Sequence, residues 1–214
     1  MSERGETRQR GGRELDRIVN FSDAVFAIAI TLLVLDIRVP EIPDDLVAEE
    51  LPAQLLALWP KYFGYVLSFV VIISFWNIHH TIFGGIRDYD KILILLNSAF
   101  LMFVAVVPFP TSLLSEYGNY QLPVAIYAAT LAVGRLLLTA IYWYATSDRR
   151  LVDPDLDPRV VRFFLIRGLT VPVIFLLTIG ISFFSVSAAI YSWLLLLLVD
   201  AVILRRRRVR SESY

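Results

Sequence analysis

Cysteine is absent from the chain, which rules out disulfides, thiolate nucleophiles and cysteine-ligated zinc or iron–sulfur centres, and leaves the redox compartment unreadable. Histidine occurs only twice, at the adjacent positions His79 and His80. Tandem histidines project about 100° apart on a helix. No carboxylate stands three or four residues from them, so they cannot grip a metal as an HExxH pair does. With neither cysteine nor a histidine–carboxylate set, an intramembrane enzyme lacks its parts, and the loops are too short to hold a catalytic module. Three other features are missing: an internal repeat, a TVGYG-like carbonyl filter, and the arginine at every third position that a steep voltage sensor needs.

What the chain has in excess is apolar residues. They make up 57% of its 214 positions, against roughly 45–50% for a soluble domain. A spanning helix needs about 20 mostly apolar residues. Six stretches qualify: Leu15 to Ile37, Trp59 to Ile78, Ile92 to Leu113, Leu122 to Ala145, Val160 to Ile181 and Phe184 to Leu204. The expectation is an all-α integral membrane protein, one six-helix domain over residues 1–214. The first apolar run has no small-residue cleavage site and leads into Asp36, Arg38 and Pro40, so it reads as a retained span, not a signal peptide. Ser182 to Ser187 reads as a tight turn between the last two spans.

The formal net charge is zero, but the signs are segregated. Arg4, Arg8, Arg10, Arg13 and Arg17 precede span 1, and Arg87 and Lys91 separate spans 2 and 3. Arg149, Arg150, Arg159, Arg162 and Arg167 flank the gap between spans 4 and 5, and Arg205 to Arg208 with Arg210 follow span 6. If six spans alternate, these all fall on one side. The other side carries Asp36, Glu41, Asp44, Asp45, Glu49, Glu50 and Glu116 against Arg38 and Lys61. The positive-inside rule then puts both termini in the cytoplasm, with basic tails at 1–14 and 205–214 and an acidic outer loop at 38–58. That loop contains Pro40, Pro43 and Pro52 and reads as a short amphipathic helix around Leu46 to Leu58. Trp59, Tyr62, Tyr65, Tyr142, Trp143 and Tyr144 lie near span ends and read as interface anchors. The Arg205 to Arg208 run reads as a stop signal that contacts anionic lipid; nothing favours nucleic acid.

Ionisable groups inside spans are costly and mark function or buried networks. The set comprises Arg17, Asp23, His79, His80, Arg135 and Asp200. Arg17 and Phe21 stack at i, i+4, with Ser22 and Asp23 beside them. Arg17 on its own reads as a snorkelling juxtamembrane charge, Asp23 as an acid partnered by a neighbouring helix, and the histidines as members of a network with span 1. Arg135 pairs with Asp200 or Asp23, or lines a polar cavity. Further along span 1, Ile28, Leu32 and Leu35 form an i, i+4, i+7 stripe flanked by Thr31, and Ala24, Ala27 and Ala29 allow close packing. Periodicity alone reads that stripe as lipid contact or bundle core.

The run Arg17, Ile18, Val19, Asn20, Phe21, Ser22, Asp23 reproduces Arg-x-x-x-Phe-Ser-Asp. With the Trp76 to His80 cluster, the chain resembles the lysosomal and endosomal potassium channels and their six-helix bacterial relatives. The resemblance implies a homotetramer in the cell membrane, its pore lined by the first helix of four subunits. It implies an apolar constriction of Ile28, Leu32 and Leu35, with Thr31 contributing to selectivity. It also implies that Arg17, Phe21, Ser22 and Asp23 position the first helix through Trp76 and His79 or His80. Potassium ions would permeate with modest preference over sodium, and no cofactor or resident metal is implied. One alternative is a proton-coupled cation exchanger using Asp23, Arg135 and the histidines, for which Pro108, Pro110 and Pro172 could break spans 3 and 5. A membrane protein without transport activity is the other.

Overall fold

The computed structural model describes residues 3–190 and 192–193, and among these every regular element is helical. Helix α1 (Glu3–Leu33) runs into a 3-10 turn, Val34–Asp36. It is followed by α2 (Val47–Ala57), α3 (Trp59–Gly85), α4 (Lys91–Val106), α5 (Pro108–Tyr117), α6 (Gln121–Thr146) and α7 (Pro158–Ser182). Five stretches are long and apolar enough to cross a bilayer: Gly12–Asp36, Trp59–Gly85, Lys91–Tyr117, Gln121–Arg149 and Pro158–Ser182. They coincide with the first five expected spans. Of the sixth, Phe184 to Leu204, residues 186–190 and 192–193 are helical, while most of it, including Asp200, lies outside the described residues, as does the Arg205 to Arg208 run. The turn before it is tight: Phe184 and Ser185 both donate backbone N–H to the Ile181 carbonyl, and Ser185 Oγ accepts from Ala188.

Two boundaries differ from the sequence reading. Span 2 continues past Ile78 to Gly85, because His79, His80 and Thr81 lower the hydropathy without interrupting the backbone bonds. Span 3 is divided at Val107, where Pro108 opens α5; proline has no N–H to give and its ring crowds the carbonyl four residues back. Pro172, by contrast, is buried inside α7 and the helix runs through it unbroken. One missing bond is tolerated in a spanning helix when its neighbours support the backbone.

Helix α1 packs on α3, α4 and α5, α6 leans on α4 and α5, and α7 lies along α6. The core draws Phe26, Ala29 and Leu33 from α1, Ile72 and Phe75 from α3, and Phe100 from α4. Lipid competes for apolar contact, so close approach and hydrogen bonds decide which helices associate. A buried relay supplies such bonds between α3, α5 and α6. Thr111 Oγ1 donates to the Val107 carbonyl (2.8 Å), so Ser68 Oγ donates to Thr111 (2.7 Å) and Tyr127 Oη donates to Ser68 (2.9 Å). At the α6–α7 contact, a Cβ on Gly168 would stand 2.5 Å from Thr139 Oγ1. That hydroxyl is itself bonded to the Arg135 carbonyl at 2.8 Å.

The loops at one end are clamped together. Ile86 and Val152 form an antiparallel bridge, and the Leu151 carbonyl accepts from Arg87 N–H at 2.7 Å and Asp88 N–H at 3.3 Å. Asp90 caps α4 by accepting from Leu93 N–H at 2.8 Å, and its other oxygen accepts from the Tyr144 hydroxyl of α6. The Arg150 guanidinium lies over the Tyr144 ring, 5.7 Å from its centroid. Burial by itself would raise the Asp90 pKa, but the bonds from Tyr144, Leu93 and Ile92 and the Arg150 charge outweigh it and hold the carboxyl below its ordinary value.

Two predictions follow from this packing. Gly168→Ala should lower stability by about 1–3 kcal/mol, as overpacking does, and a second change, Thr139→Ala, should restore part of the loss in detergent melting; additive effects would place the strain elsewhere. The Asp90 contribution is complete above the unfolded carboxylate pKa of about 3.9 and disappears as pH falls through the lower folded-state value. The wild-type melting temperature should therefore drop more steeply in that acid range than that of Asp90→Asn; parallel curves would remove Asp90 from the account.

Candidate functional site

The motif residues of α1 divide between two faces. Ser22 is fully buried, and its hydroxyl donates to the Ile18 carbonyl at 2.8 Å, as serine in a helix interior does. Its oxygen is left to accept from Asn97 Nδ2 of α4 at 3.0 Å. The other end of that amide accepts from His79 Nε2 of α3, also at 3.0 Å. One side-chain amide thus joins three helices. His79 is enclosed by rings, with Phe83 stacked at 4.3 Å, Phe100 at 5.8 Å and Phe26 edge-on at 5.7 Å. One residue further along α1, Asp23 Oδ1 accepts from Trp76 Nε1 at 2.8 Å. Trp76 in turn stacks on His80, centroid to centroid 5.7 Å, on the exposed side of α3. The histidines diverge, and no group of three metal-ligating side chains occurs among the described residues.

Arg17 stands apart from this set, contrary to the partnership implied by resemblance. Its side chain is 75% exposed and pairs with Glu14 at 3.0 Å. At roughly 100° per residue, Arg17 is turned about 140° away from Ser22 and shares its face with exposed Phe21. Arg135 is buried in mid α6; the bond described for Asp23 goes to Trp76.

Further along α1, Phe26, Ala29 and Leu33 are buried on the side of Ser22, while Ile28 (59% exposed), Leu32 (43%) and Leu35 (67%) are uncovered. Ala24 and Ala27 also lie on uncovered faces; only Ala29 of the three alanines packs inward. Thr31 is exposed beside the stripe, its hydroxyl donating to the Ile28 carbonyl at 2.8 Å. Beyond it, Asp36 Oδ1 accepts from Ser112 Oγ of α5 at 2.6 Å, tying the end of α1 to the neighbouring helix.

Asn97 and Ser112 escaped the sequence reading, which weighed only ionisable groups inside spans. The signal for Asn97 was present: one amide in Ile-Leu-Ile-Leu-Leu-Asn-Ser-Ala-Phe-Leu, where a polar group needs a partner.

This arrangement is an all-helical membrane scaffold whose first helix is fixed by polar bonds and left apolar on one open face. The sequence model of the family described as endosomal/lysosomal potassium channel TMEM175 matches residues 17–108. A potassium channel of Streptomyces collinus is 39% identical over 176 residues, covering 80% of this chain and 84% of the relative. A crystal structure titled as a lysosomal potassium-selective channel TMEM175 homolog from Chamaesiphon minutus superposes with a TM-score of 0.78 at 33% identity, covering 89% of this chain and 97% of the other. The human endosomal/lysosomal proton channel TMEM175 is 37% identical over 98 residues, 44% of this chain and 19% of that protein. The chain belongs to the TMEM175 family.

Asn97→Ala should lower stability by about 1–2 kcal/mol, since it strips Ser22 and His79 together of a partner in hydrocarbon. Adding Ser22→Ala should cost little more, because both changes break one network. Wild-type melting of Asn97→Ala would show that these bonds do not hold α1.

Proposed function

We propose that the chain is one subunit of a passive cation channel that conducts potassium with modest preference over sodium. Four copies surround a pore lined by α1, in the cell membrane, with six spans and both termini cytoplasmic. Membership of the family and the potassium-channel names of the bacterial relatives support the class of activity. The observation that carries the reading is the open stripe of Ile28, Leu32 and Leu35 on a helix whose rotation is held from behind by Ser22, Asn97, His79, Asp23 and Trp76. Four such stripes facing one axis make an apolar ring, which gates by dewetting: a small rotation of α1 narrows the ring, and water and ions leave together. Thr31 adds a hydroxyl oxygen beside the ring. The acidic stretch from Asp36 to Glu50 concentrates cations at the outer mouth. Selectivity then rests on diameter and a few oxygens, which accounts for its modest size.

The proton-channel name of the eukaryotic relatives makes proton-coupled transport through Asp23, Arg135, His79 and His80 the second reading. The described bonds of Asp23 and His79 lie behind α1 rather than on its open stripe, which favours passive conduction of metal cations.

Potassium and sodium flux into proteoliposomes, with and without a proton ionophore, tests the reading. Passive flux preferring potassium and independent of a proton gradient is expected, and Ile28→Asn should wet the ring and raise flux or weaken the preference. Flux only under a proton gradient would move the assignment to the exchanger, and an Ile28→Asn variant with unchanged conductance and ion preference would put the pore on another face.

A further inference from the structure

At the junction of α6 and α7 lies an open groove of about 320 Å³ that plays no part in the proposed conduction path. Its size is at the lower end of the roughly 300–1,000 Å³ typical of small-molecule sites. Arg149 and Arg162 are the charged residues in its lining, and Val152, Leu156, Val161, Leu165, Ile166 and Leu169 form most of the remaining wall. On α7, Arg162, Leu165, Ile166 and Leu169 follow i, i+3, i+4, i+7, so a cation at the start of the helix is continued by an apolar stripe running into the span. Ile166 and Leu169 are exposed along that stripe. Arg149 donates to the Pro154 carbonyl with one N–H, which leaves further guanidinium donors of its five. The nearby acids do not line the groove: Asp153 accepts from Asp155 N–H at 3.0 Å and Asp157 from Arg159 N–H at 2.8 Å, each turned to its own loop.

We infer that this groove holds an anionic phospholipid of the cytoplasmic leaflet, its phosphate between Arg149 and Arg162 and the start of one acyl chain along Leu165, Ile166 and Leu169. The order of charge and grease along the groove is that of the lipid: anion at the headgroup level, hydrocarbon deeper. A free anion would gain nothing from the apolar stripe, and a zwitterionic lipid would bring a cation to two guanidinium groups. The assignment of leaflet rests on the orientation proposed above; binding itself does not. The occupied groove also bears on the loop clamp, because Val152 lines it and pairs through its backbone with Ile86. Lipid there should therefore stiffen the connection between α3 and α4.

The test uses the purified full chain, delipidated in detergent and titrated separately with phosphatidylglycerol, phosphatidylcholine and inorganic phosphate. Retention is read by native mass spectrometry and stability by melting temperature, neither of which depends on conduction or orientation. Phosphatidylglycerol should be retained over phosphatidylcholine and raise the melting temperature. R149Q/R162Q should cut that preference by roughly tenfold or more, and L165W, which fills the groove without changing charge, should abolish retention of either lipid. R162Q alone alters only an exposed side chain and should show an intermediate loss in a folded protein. Undiminished preference in R162Q and R149Q/R162Q would overturn the proposal. So would inorganic phosphate matching phosphatidylglycerol, or a changed oligomeric state in L165W, which would make the groove a contact between copies.

Discussion

A helix immersed in hydrocarbon has little reason to prefer one rotation about its axis, because lipid satisfies an apolar face as well as protein does. The rotation of α1 therefore depends on the few polar bonds it makes, and two of them lie one residue apart. Ser22 to Asn97 holds it against α4, and Asp23 to Trp76 holds it against α3. Each bond stands where the alternative is a polar group short of a partner, so turning the helix away from this rotation costs free energy. Burial of Phe26, Ala29 and Leu33 follows from that choice, as does the exposure of Ile28, Leu32 and Leu35.

The network extends to the loop clamp through α4. Asp90 caps that helix and is tied to Tyr144 of α6, while Asn97 lies seven residues on, close to two full turns and so on nearly the same face. Capping fixes where α4 begins, and hence the height and azimuth at which Asn97 meets Ser22 and His79. At the other end of α1, Asp36 is held by Ser112 of α5, beyond the break that Pro108 introduces. The helix with the open stripe is thus held from behind at Ser22 and Asp23 by α4 and α3, and at its Asp36 end by α5.

Much of this was legible in the amino-acid sequence, for reasons that also explain what was not. Span positions follow from hydropathy because the backbone must satisfy itself in lipid, and the first five were placed within a few residues except at Gly85, where histidines masked a helix that continues. Proline reads ambiguously: Pro108 divides its span and Pro172 does not, since the outcome depends on what supports the freed carbonyl. The contact of span 1 with span 2 was visible as an acid that needed a partner and histidines read as a network with span 1, while the part of Trp76 was implied by the resemblance. That Asn97 joins Ser22 to His79 was not, because an uncharged amide raises no alarm in a search for ionisable groups. Arg17 pairing with Glu14 rather than the motif is a matter of azimuth, which spacing implied and resemblance obscured.

The same azimuths explain why an aspartate can sit in a helix proposed to line a pore. If Asp23 faced the axis, four carboxylates would crowd one ring, each desolvated and repelling the others, and the ring would bind a cation too tightly to release it quickly. Turned against Trp76, the carboxylate makes a hydrogen bond that orients the helix while its charge stays off the path. A permeating ion would then meet only weak, apolar surface, flanked by a threonine hydroxyl whose proton is committed to the Ile28 carbonyl and whose oxygen remains free to accept or coordinate. In the proposed pore, fast passage and modest selectivity would arise from one cause: the strong polar groups are used behind the helix, and little is left in front to hold or to discriminate an ion.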